Sequence, residues 1–240
     1  MRIEKDHTIA IDGPAASGKS TVGGRLADKL GYLYFDTGVM YRAVTWVALM
    51  RSIPIEDEAA VTKLAESLLI EVTRPTIQDG RQYTVYADGE DITWQIREPE
   101  VNRYVSPVSA YRGVRQALTC QQRRIGAAGG VVMVGRDIGS VVLPEAGVKI
   151  YLDATLEERA RRRYLEALQH GTPREYAEVL EDLKRRDYID STREQSPLCV
   201  AKGAVVIDST KMTVEEVVAR IEALILAAKE RPPTTKTPRH

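Results

Sequence analysis

The sequence has few of the residues that build disulfides or histidine-based sites. Its 240 residues include two cysteines, Cys120 and Cys199, without a C-x-x-C spacing, and three scattered histidines without an H-E-x-x-H motif. These shortages argue against a disulfide framework, a structural zinc site and a histidine-based triad. We expect both cysteines to be buried small apolar residues in a reducing cytoplasm.

An excess of charge of one sign is missing as well, and so is any long hydrophobic run. Lysine plus arginine and aspartate plus glutamate both total 34, so the formal net charge is zero. No global field favours nucleic acid as a partner, and a function that needs positive charge must concentrate it locally. Residues 1–7 are too charged for a signal peptide, and no apolar run is long enough to span a membrane. We therefore expect a soluble, cytoplasmic protein with no nucleic-acid or membrane partner.

The sequence does contain a phosphate-binding loop at residues 13–21, which fits the pattern G-x-x-x-x-G-K-[ST]. An apolar run precedes this loop and a helical pattern follows it, which is the context that the motif requires. We expect Lys19 to reach the β- and γ-phosphates of a nucleoside triphosphate, and the Ser20 hydroxyl to ligate Mg²⁺. Backbone N–H groups and the helix N-terminus would hold the phosphates. The predicted triphosphate-binding residues are Gly13, Pro14, Ala15, Ala16, Ser17, Gly18, Lys19, Ser20 and Thr21.

Strand and helix patterns alternate along most of the chain. Helical periodicity is present at 39–51, 58–69 and 106–128, and again after Thr213. Five apolar runs predict strands at 9–11, 32–35, 131–134, 148–152 and 204–207. This alternation predicts an α/β fold with a five-stranded parallel sheet flanked by helices, and ligands beyond the carboxyl ends of its strands.

Between about residues 65 and 100 the pattern changes to a period of two. Ile70 and Val72 alternate with polar residues, Tyr83 and Val85 do so again, and D-G turns separate the segments. We predict a small antiparallel sheet inserted into the α/β chain.

Threonines mark several of the predicted helix starts. Thr37 is placed to cap the helix at 39–51, and three threonines each have glutamate three residues later, as in a capping box: Thr155, Thr172 and Thr213. Residues 229–240 have no apolar period and are predicted to be a disordered tail.

Three further clusters have both a functional and a structural interpretation. The segment 36–42 fits either a phosphate contact or an ordinary strand-to-helix junction, and 135–139 fits either a site at a strand end or a local salt bridge. The third cluster is rich in arginine, which suits bidentate phosphate contacts but also a solvated helix face. Arg159, Arg162 and Arg163 are predicted to share a face there, as are Arg186, Asp190 and Arg193.

Taken together, these motifs resemble the bacterial cytidylate kinase family over about residues 7–228. The shared features are the phosphate loop, the segment 36–42, the Gly-Glu-Asp-Ile turn at 89–92 with Ile96-Arg97, Ser106 with Arg115, the segment 135–139, and the segment 186–193. The resemblance implies a P-loop nucleoside monophosphate kinase fold with an arginine-rich lid. It divides the chain into a core (1–36, 104–154 and 195–228), a monophosphate-binding region with the small sheet (37–103), and a lid with its following helix (155–194).

The resemblance also implies roles for individual residues. Ser106, Arg115 and Asp137 would read cytosine, and Arg186 with Asp190 would contact the ribose. The acceptor phosphate would lie among Thr37, Arg42, Arg136 and Arg193. The implied catalytic residues are Lys19, Arg136, Arg159 and Arg163, the last two as lid arginines.

The implied reaction is phosphoryl transfer from ATP to CMP or dCMP with Mg²⁺, in a monomeric enzyme. The acceptor is an ionised phosphate, so no general base is needed, in keeping with the shortage of histidine. Two alternatives stay open. One is a P-loop kinase for another acceptor, such as UMP, AMP, dTMP or a small acid. The other is a non-catalytic nucleotide switch, although the chain lacks the guanine-reading motif N-K-x-D.

Overall fold

A computed structural model describes residues 8–169 and 171–229 of the chain. Of the predicted tail at 229–240, Lys229 is the last residue of a helix instead, and residues 230–240 lie outside the described residues, as does the charged segment at 1–7. Two sheets are present. The larger one contains the strands β1 (Thr8–Asp12), β2 (Leu33–Asp36), β6 (Val131–Gly135), β7 (Val148–Asp153) and β8 (Val205–Asp208), and the smaller one contains β3 (Ile70–Thr73), β4 (Thr84–Ala87) and β5 (Glu90–Asp91).

The larger sheet is parallel, with the strand order β2-β6-β1-β7-β8, and confirms all five predicted strands. Strand β6 is buried at every position, as expected for a parallel strand covered on both faces. Asp12 at the end of β1 lies opposite Gly135 of β6 and Tyr151 of β7. The phosphate loop and the segment 135–139 therefore leave neighbouring strands at the same edge of the sheet.

Helices cover both faces of this sheet. The closing helix buries Val217, Val218, Ile221 and Ile225 against the core, as its spacing predicts. The helices are α1 (Lys19–Leu30), α2 (Gly38–Met50), α3 (Glu58–Ser67), α4 (Pro99–Ala110), α5 (Arg112–Ala127), α6 (Leu156–Gln169), α7 (Tyr176–Thr192) and α8 (Val214–Lys229). Among residues 8–169 and 171–229, none is both long and apolar enough to cross a membrane.

The small sheet is antiparallel in the order β3-β4-β5, which confirms the predicted insert. Arg81 holds its loop together, because the guanidinium donates to both carboxylate oxygens of Asp79 and to Asp91. Thr84 and Thr93 accept further hydrogen bonds from the same guanidinium. The insert is thus stabilised by a compact polar network beside its short strands.

Two helix predictions are wrong in detail. The segment 106–128 contains two helices, because Tyr111 between them is extended (φ −65°, ψ 123°) and its hydroxyl donates to the carbonyl of Ile55. Thr37 does not cap α2 with its side chain: its hydroxyl donates to the carbonyl of Val134, and Asp36 accepts the N–H of Gly38 instead.

The three predicted capping boxes have different outcomes. Thr213 and Glu216 bond reciprocally, which confirms the third box. Thr155 accepts the N–H of Glu158, whose carboxylate turns to two arginines instead of back to Thr155. The box at Thr172 is wrong, because α7 begins only at Tyr176.

The prediction that the cysteines are buried is also wrong, since Cys120 and Cys199 are both exposed. The face of α5 that packs inward carries Val114 and Leu118. Cys120 lies two positions beyond Leu118, which places it on another side of the helix.

Candidate active site

A cavity of about 770 Å³ lies at the carboxyl ends of β1, β2 and β6. The structure brings most of the predicted site residues to its wall, although they come from six separate parts of the chain. These are Ala15, Ala16, Ser17, Gly18, Lys19, Ser20, Thr21, Thr37, Arg42, Ser106, Arg115, Arg136, Asp137, Arg163, Arg186, Asp190 and Arg193. Gly13, Pro14 and Arg159 lie outside this lining.

The phosphate loop has the backbone that its glycines predict. Gly13 has a φ of 150°, and a Cβ there would lie 2.1 Å from the carbonyl oxygen of Leu152 in β7. Only glycine allows so close an approach between the loop and the neighbouring strand. The loop is therefore held tightly against the sheet, with the N-terminus of α1 behind it.

Lys19 is buried within this loop. Its ammonium group donates to the carbonyl of Pro14 and to the Ser17 hydroxyl at 3.2 Å. Burial lowers the pKa of Lys19 well below its ordinary value, and nearby Arg136 lowers it further. The carboxylates of Asp36 and Asp12 act in the opposite direction. A phosphate in the cavity would likewise favour the charged form of this lysine.

The predicted metal ligand Ser20 has a carboxylate beside it. Its hydroxyl lies 3.4 Å from Asp36 Oδ2, and both residues line the cavity. In the described part of the chain, no group of three or more His, Cys, Asp or Glu side chains is placed to hold a metal alone. A hydroxyl and one carboxylate fit Mg²⁺, which keeps several waters and binds mainly through nucleotide phosphates.

At the other end of the cavity lies a buried ion pair. Arg115 Nη2 and Asp137 Oδ2 are 2.6 Å apart, and both side chains are less than one-tenth exposed. The Arg115 guanidinium lies over the Tyr41 ring, 5.4 Å from its centroid, and also donates to the carbonyl of Ser109. The structure thus combines directional donors and acceptors in one rigid group, with Ser106 on the same wall.

Several further arginines line the same cavity. Arg136 donates to Asp190 at 2.8 Å, and Arg193 lies 3.5 Å from Asp190 and 3.9 Å from Asp137. Arg42 donates to Asn102 and to the carbonyl of Ile96. Burial lowers the pKa of both Arg42 and Arg193. An anion among these guanidinium groups would offset this cost.

The two predicted lid arginines have different surroundings. Arg159 is buried behind the loop, where it donates to the carbonyls of Ala15 and Ala154 and pairs with Asp187 at 2.7 Å. Arg163 lines the cavity and forms an exposed pair with Glu166. The structure brings Arg163, but not Arg159, to the cavity wall.

Three more side chains line the site: Asp36, Arg162 and Ser209. The sequence placed Asp36 and Arg162 in clusters without giving either a role of its own, and Ser209 was missed. Arg162 donates to the carbonyls of Ser17 and Ser209, and thus ties the loop to the end of β8. Ser209 follows β8 directly, and Asp36 ends β2. For the last two, a polar residue at the carboxyl end of a parallel strand was the available signal.

A parallel sheet with a phosphate loop at its centre, facing a basic cavity, is typical of the P-loop class of nucleoside-triphosphate-binding proteins. Comparison with known proteins adds the family. The family model described as cytidylate kinase matches residues 9–227. A cytidylate kinase from Herpetosiphon aurantiacus is 55% identical over 91% of this chain and 94% of its own length. One from Enterococcus faecalis is 48% identical over 91% of this chain and 95% of its own.

The chain belongs to the cytidylate kinase family, which confirms the resemblance inferred from its motifs. Among solved structures, a shikimate kinase from Acinetobacter baumannii in complex with shikimate has 19% sequence identity and a TM-score of 0.46, with 95% of this chain and 97% of that chain covered.

Proposed function

We propose that this enzyme transfers the γ-phosphoryl group of ATP to CMP or dCMP, with ADP and CDP or dCDP as products. The observation that carries the proposal is the buried Arg115–Asp137 pair, which faces the phosphate loop across one cavity. Family membership supports the same acceptor. Both nucleotides would bind to a single chain, in keeping with a monomeric, cytoplasmic enzyme.

The pair suits cytosine because its hydrogen-bonding groups are complementary to that base. Cytosine presents an amino donor at N4 beside acceptors at N3 and O2. Asp137 can accept from the amino group, while Arg115 and Ser106 can donate to the acceptors. A base with a different pattern would leave these buried groups unpaired, which costs about 1–3 kcal/mol for each.

The remaining contacts would orient the acceptor and offset its charge. Arg186 and Asp190 also line the cavity, and they would hold the sugar hydroxyls. Thr37, Arg42, Arg136 and Arg193 would surround the acceptor phosphate. Phosphoryl transfer requires charge neutralisation and positioning more than acid–base chemistry, so these cations supply most of the catalysis.

On the donor side, residues 13–21 would hold the triphosphate through backbone N–H groups, and Lys19 would move from the Pro14 carbonyl to the phosphates. Ser20, with Asp36 beside it, would hold Mg²⁺, which supplies positive charge to the β- and γ-phosphates. Arg163 would approach from α6 as the lid closes, and closure would exclude water. Arg159, through the Ala15 carbonyl, would hold the loop in shape.

An acceptor panel tests this proposal most directly. Turnover with CMP, dCMP, UMP and AMP is compared at one ATP concentration, and CMP and dCMP should be preferred. A clear preference for UMP, AMP or a non-nucleotide acid would show that the proposed acceptor is wrong. Tight ATP binding without turnover of any acceptor would instead favour a nucleotide switch.

Asp137→Ala tests the base-reading role in the same assay. It should lower kcat/KM for CMP by roughly 100-fold or more, since it leaves Arg115 buried without its partner. Affinity for ATP should change much less. Glu100→Ala, an exposed carboxylate near the start of α4, is the control. CMP-selective activity that survives in Asp137→Ala would contradict the assignment.

A further inference from the structure

Asp12 is a buried carboxylate for which neither the phosphate-loop motif nor the family resemblance supplies a role. It is the last residue of β1, directly before Gly13 of the phosphate loop, and is only 3% exposed. Its Oδ1 accepts the N–H of Ile138 and its Oδ2 accepts the N–H of Gly139, both at 2.7 Å. Burial of a charged carboxylate is costly, and two hydrogen bonds offset only part of that cost. The presence of Asp12 at this position therefore needs an explanation.

The short segment 136–137 is fixed at both of its ends, and the two hydrogen bonds to Asp12 fix one of them. Gly135 is held by strand pairing opposite Asp12 itself, and Ile138 and Gly139 are held by the Asp12 carboxylate. Arg136 and Asp137 are the two residues between these anchors. Their side chains reach the cavity, where they bond to Asp190 and Arg115 respectively.

The packing around Gly139 shows that this arrangement requires a close approach. A Cβ at Gly139 would lie 3.3 Å from Asp12 Oδ2, and within 3.1 and 3.2 Å of Lys149 and Ala201 side-chain atoms. A methyl group there would require the turn or these neighbours to shift by a few tenths of an ångström. The turn is therefore held from both sides.

We propose that Asp12 is a positioning residue that holds Arg136 and Asp137 in register with the phosphate loop. One residue thus joins the donor loop, which begins at Gly13, to the acceptor end of the cavity. The proposal rests on the proposed function only for the identity of the acceptor. The hydrogen bonds from Ile138 and Gly139 to Asp12 do not depend on which acceptor the enzyme uses. Phosphoryl transfer is sensitive to the separation of its two substrates, so a rigid link between their sites has a direct use.

Asp12→Asn is the sharpest test because it preserves the shape of the side chain. The amide keeps one acceptor but presents an NH₂ group to the second backbone N–H, so one bond is lost. Hydrogen–deuterium exchange should become faster at the amides of Ile138 and Gly139 and stay unchanged in α8. Asp57→Asn, which removes an exposed carboxylate that caps α3, is the matched control.

Kinetics and binding then separate positioning from general stability. In Asp12→Asn, KM for CMP should rise roughly 10- to 100-fold and kcat should fall, while the dissociation constant of ATP changes less than about threefold. The preference for CMP over UMP should narrow. Equal weakening of CMP and ATP with a lower melting temperature would reduce Asp12 to a structural role and overturn the proposal, as would unchanged exchange and kinetics.

Gly139→Ala provides a second variant should Asp12→Asn fail to fold. It leaves the carboxylate in place and displaces the turn, so it should also raise KM for CMP and leave ATP binding nearly unchanged. Equal weakening of CMP and ATP binding in Gly139→Ala, or no change in either, would overturn the proposal. A wild-type enzyme that does not use CMP would refute the proposed function, whereas the exchange experiment would still test the anchor.

Discussion

Arg81 in the small antiparallel sheet and Arg193 in the cavity are both largely buried, but their partners differ. Arg81 donates to Asp79 at 2.7–3.0 Å and to Asp91 at 2.5 Å. Arg193 donates to the carbonyl of Ser196 at 2.8 Å, but its nearest carboxylate oxygens are 3.5 and 3.9 Å away. Its Nη2 has no hydrogen-bond partner among the described residues.

The pKa values of Arg81 and Arg193 differ in the same way as their hydrogen bonds do. Hydrogen bonds to Asp79 and Asp91 raise the pKa of Arg81, because they favour its charged form. Burial lowers the pKa of Arg193, because its surroundings compensate the charge incompletely. The small sheet is thus complete without a ligand, whereas the cavity keeps bonding capacity that an anion can use.

The same contrast holds for the carboxylates of the two regions. Hydrogen bonds from Arg81 and Trp94 hold the pKa of Asp79 below its ordinary range. Burial raises the pKa of Asp12 from an ordinary 3.8 to about 6, although the N–H groups of Gly139 and Ile138 oppose the increase. In this molecule, the costly charges lie beside the cavity.

The largest effect that would sharpen this comparison is expected from Arg136→Met. The change removes a cation from the position where negative charge develops, so kcat/KM for CMP should fall on the order of 1,000-fold. The free energy of unfolding, measured in urea, should change little because the cavity is crowded with like charges. Arg185→Met, an exposed residue of α7, is the control. A decrease in kcat/KM below tenfold would contradict the view that the cavity, unlike the small sheet, uses its arginines to bind an anion.

The next effect concerns the pH dependence of stability in Asp12→Asn. The folded state holds the Asp12 proton more tightly than the unfolded state, so this group makes the wild type less stable as pH rises from about 4 to about 6. Asparagine does not titrate. The stability of Asp12→Asn relative to the wild type should therefore increase by up to about 3 kcal/mol between pH 4 and pH 7.

Urea denaturation at several pH values measures this difference. Charged groups near Asp12 include Asp137 and Lys19, and both are present in the wild type and the variant. A stability difference that stays constant over this range would show that Asp12 does not carry its charge at a cost.

Arg81→Met tests the small sheet. Removing the guanidinium leaves Asp79 and Asp91 without their partner, so the melting temperature should fall by several degrees. Selectivity for CMP over UMP should not change, because Arg81 does not line the cavity. Arg51→Met, which breaks an exposed pair with Asp88, should have a much smaller effect on stability. A change in acceptor selectivity would break the comparison between the two regions.

The smallest effect is expected from Arg163→Gln. Arg163 and its partner Glu166 are each about half exposed, so their pairing contributes little to stability. We expect unchanged melting and a decrease in kcat of less than about tenfold, from the lost approach of this cation to the phosphates. A larger decrease, measured in the same coupled assay, would place Arg163 among the principal catalytic groups.

Much of the fold could be predicted because it depends on local patterns. Apolar runs of strand length and helical periodicity predict the five parallel strands, and D-G turns predict the insert. Some of the errors occurred where side chains had a choice of partner. Thr37 could have capped α2, but the carbonyl of Val134 on a neighbouring strand was within reach of its hydroxyl. Glu158 likewise bonds to Arg161 and Arg162 instead of the backbone.

The site was predictable in its membership more than in its arrangement. The loop motif and the arginine segments indicate which residues are present, and most of them line the cavity. Yet the spacing of Arg159, Arg162 and Arg163 could not show that Arg159 lies behind the loop while Arg163 lines the cavity. Arg159 is buried because it bonds to the Ala15 carbonyl and to Asp187, and both of these partners are distant from it in the chain.

The sequence by itself determined the phosphate loop, the alternation of strands and helices, and the concentration of arginine in a chain without net charge. Those features follow from residue types and short spacings, which are local properties. Only the tertiary structure decided that Asp12 reaches Ile138 and Gly139, 126 and 127 positions later in the chain. Such contacts depend on strand order and register, and no short-range pattern specifies either.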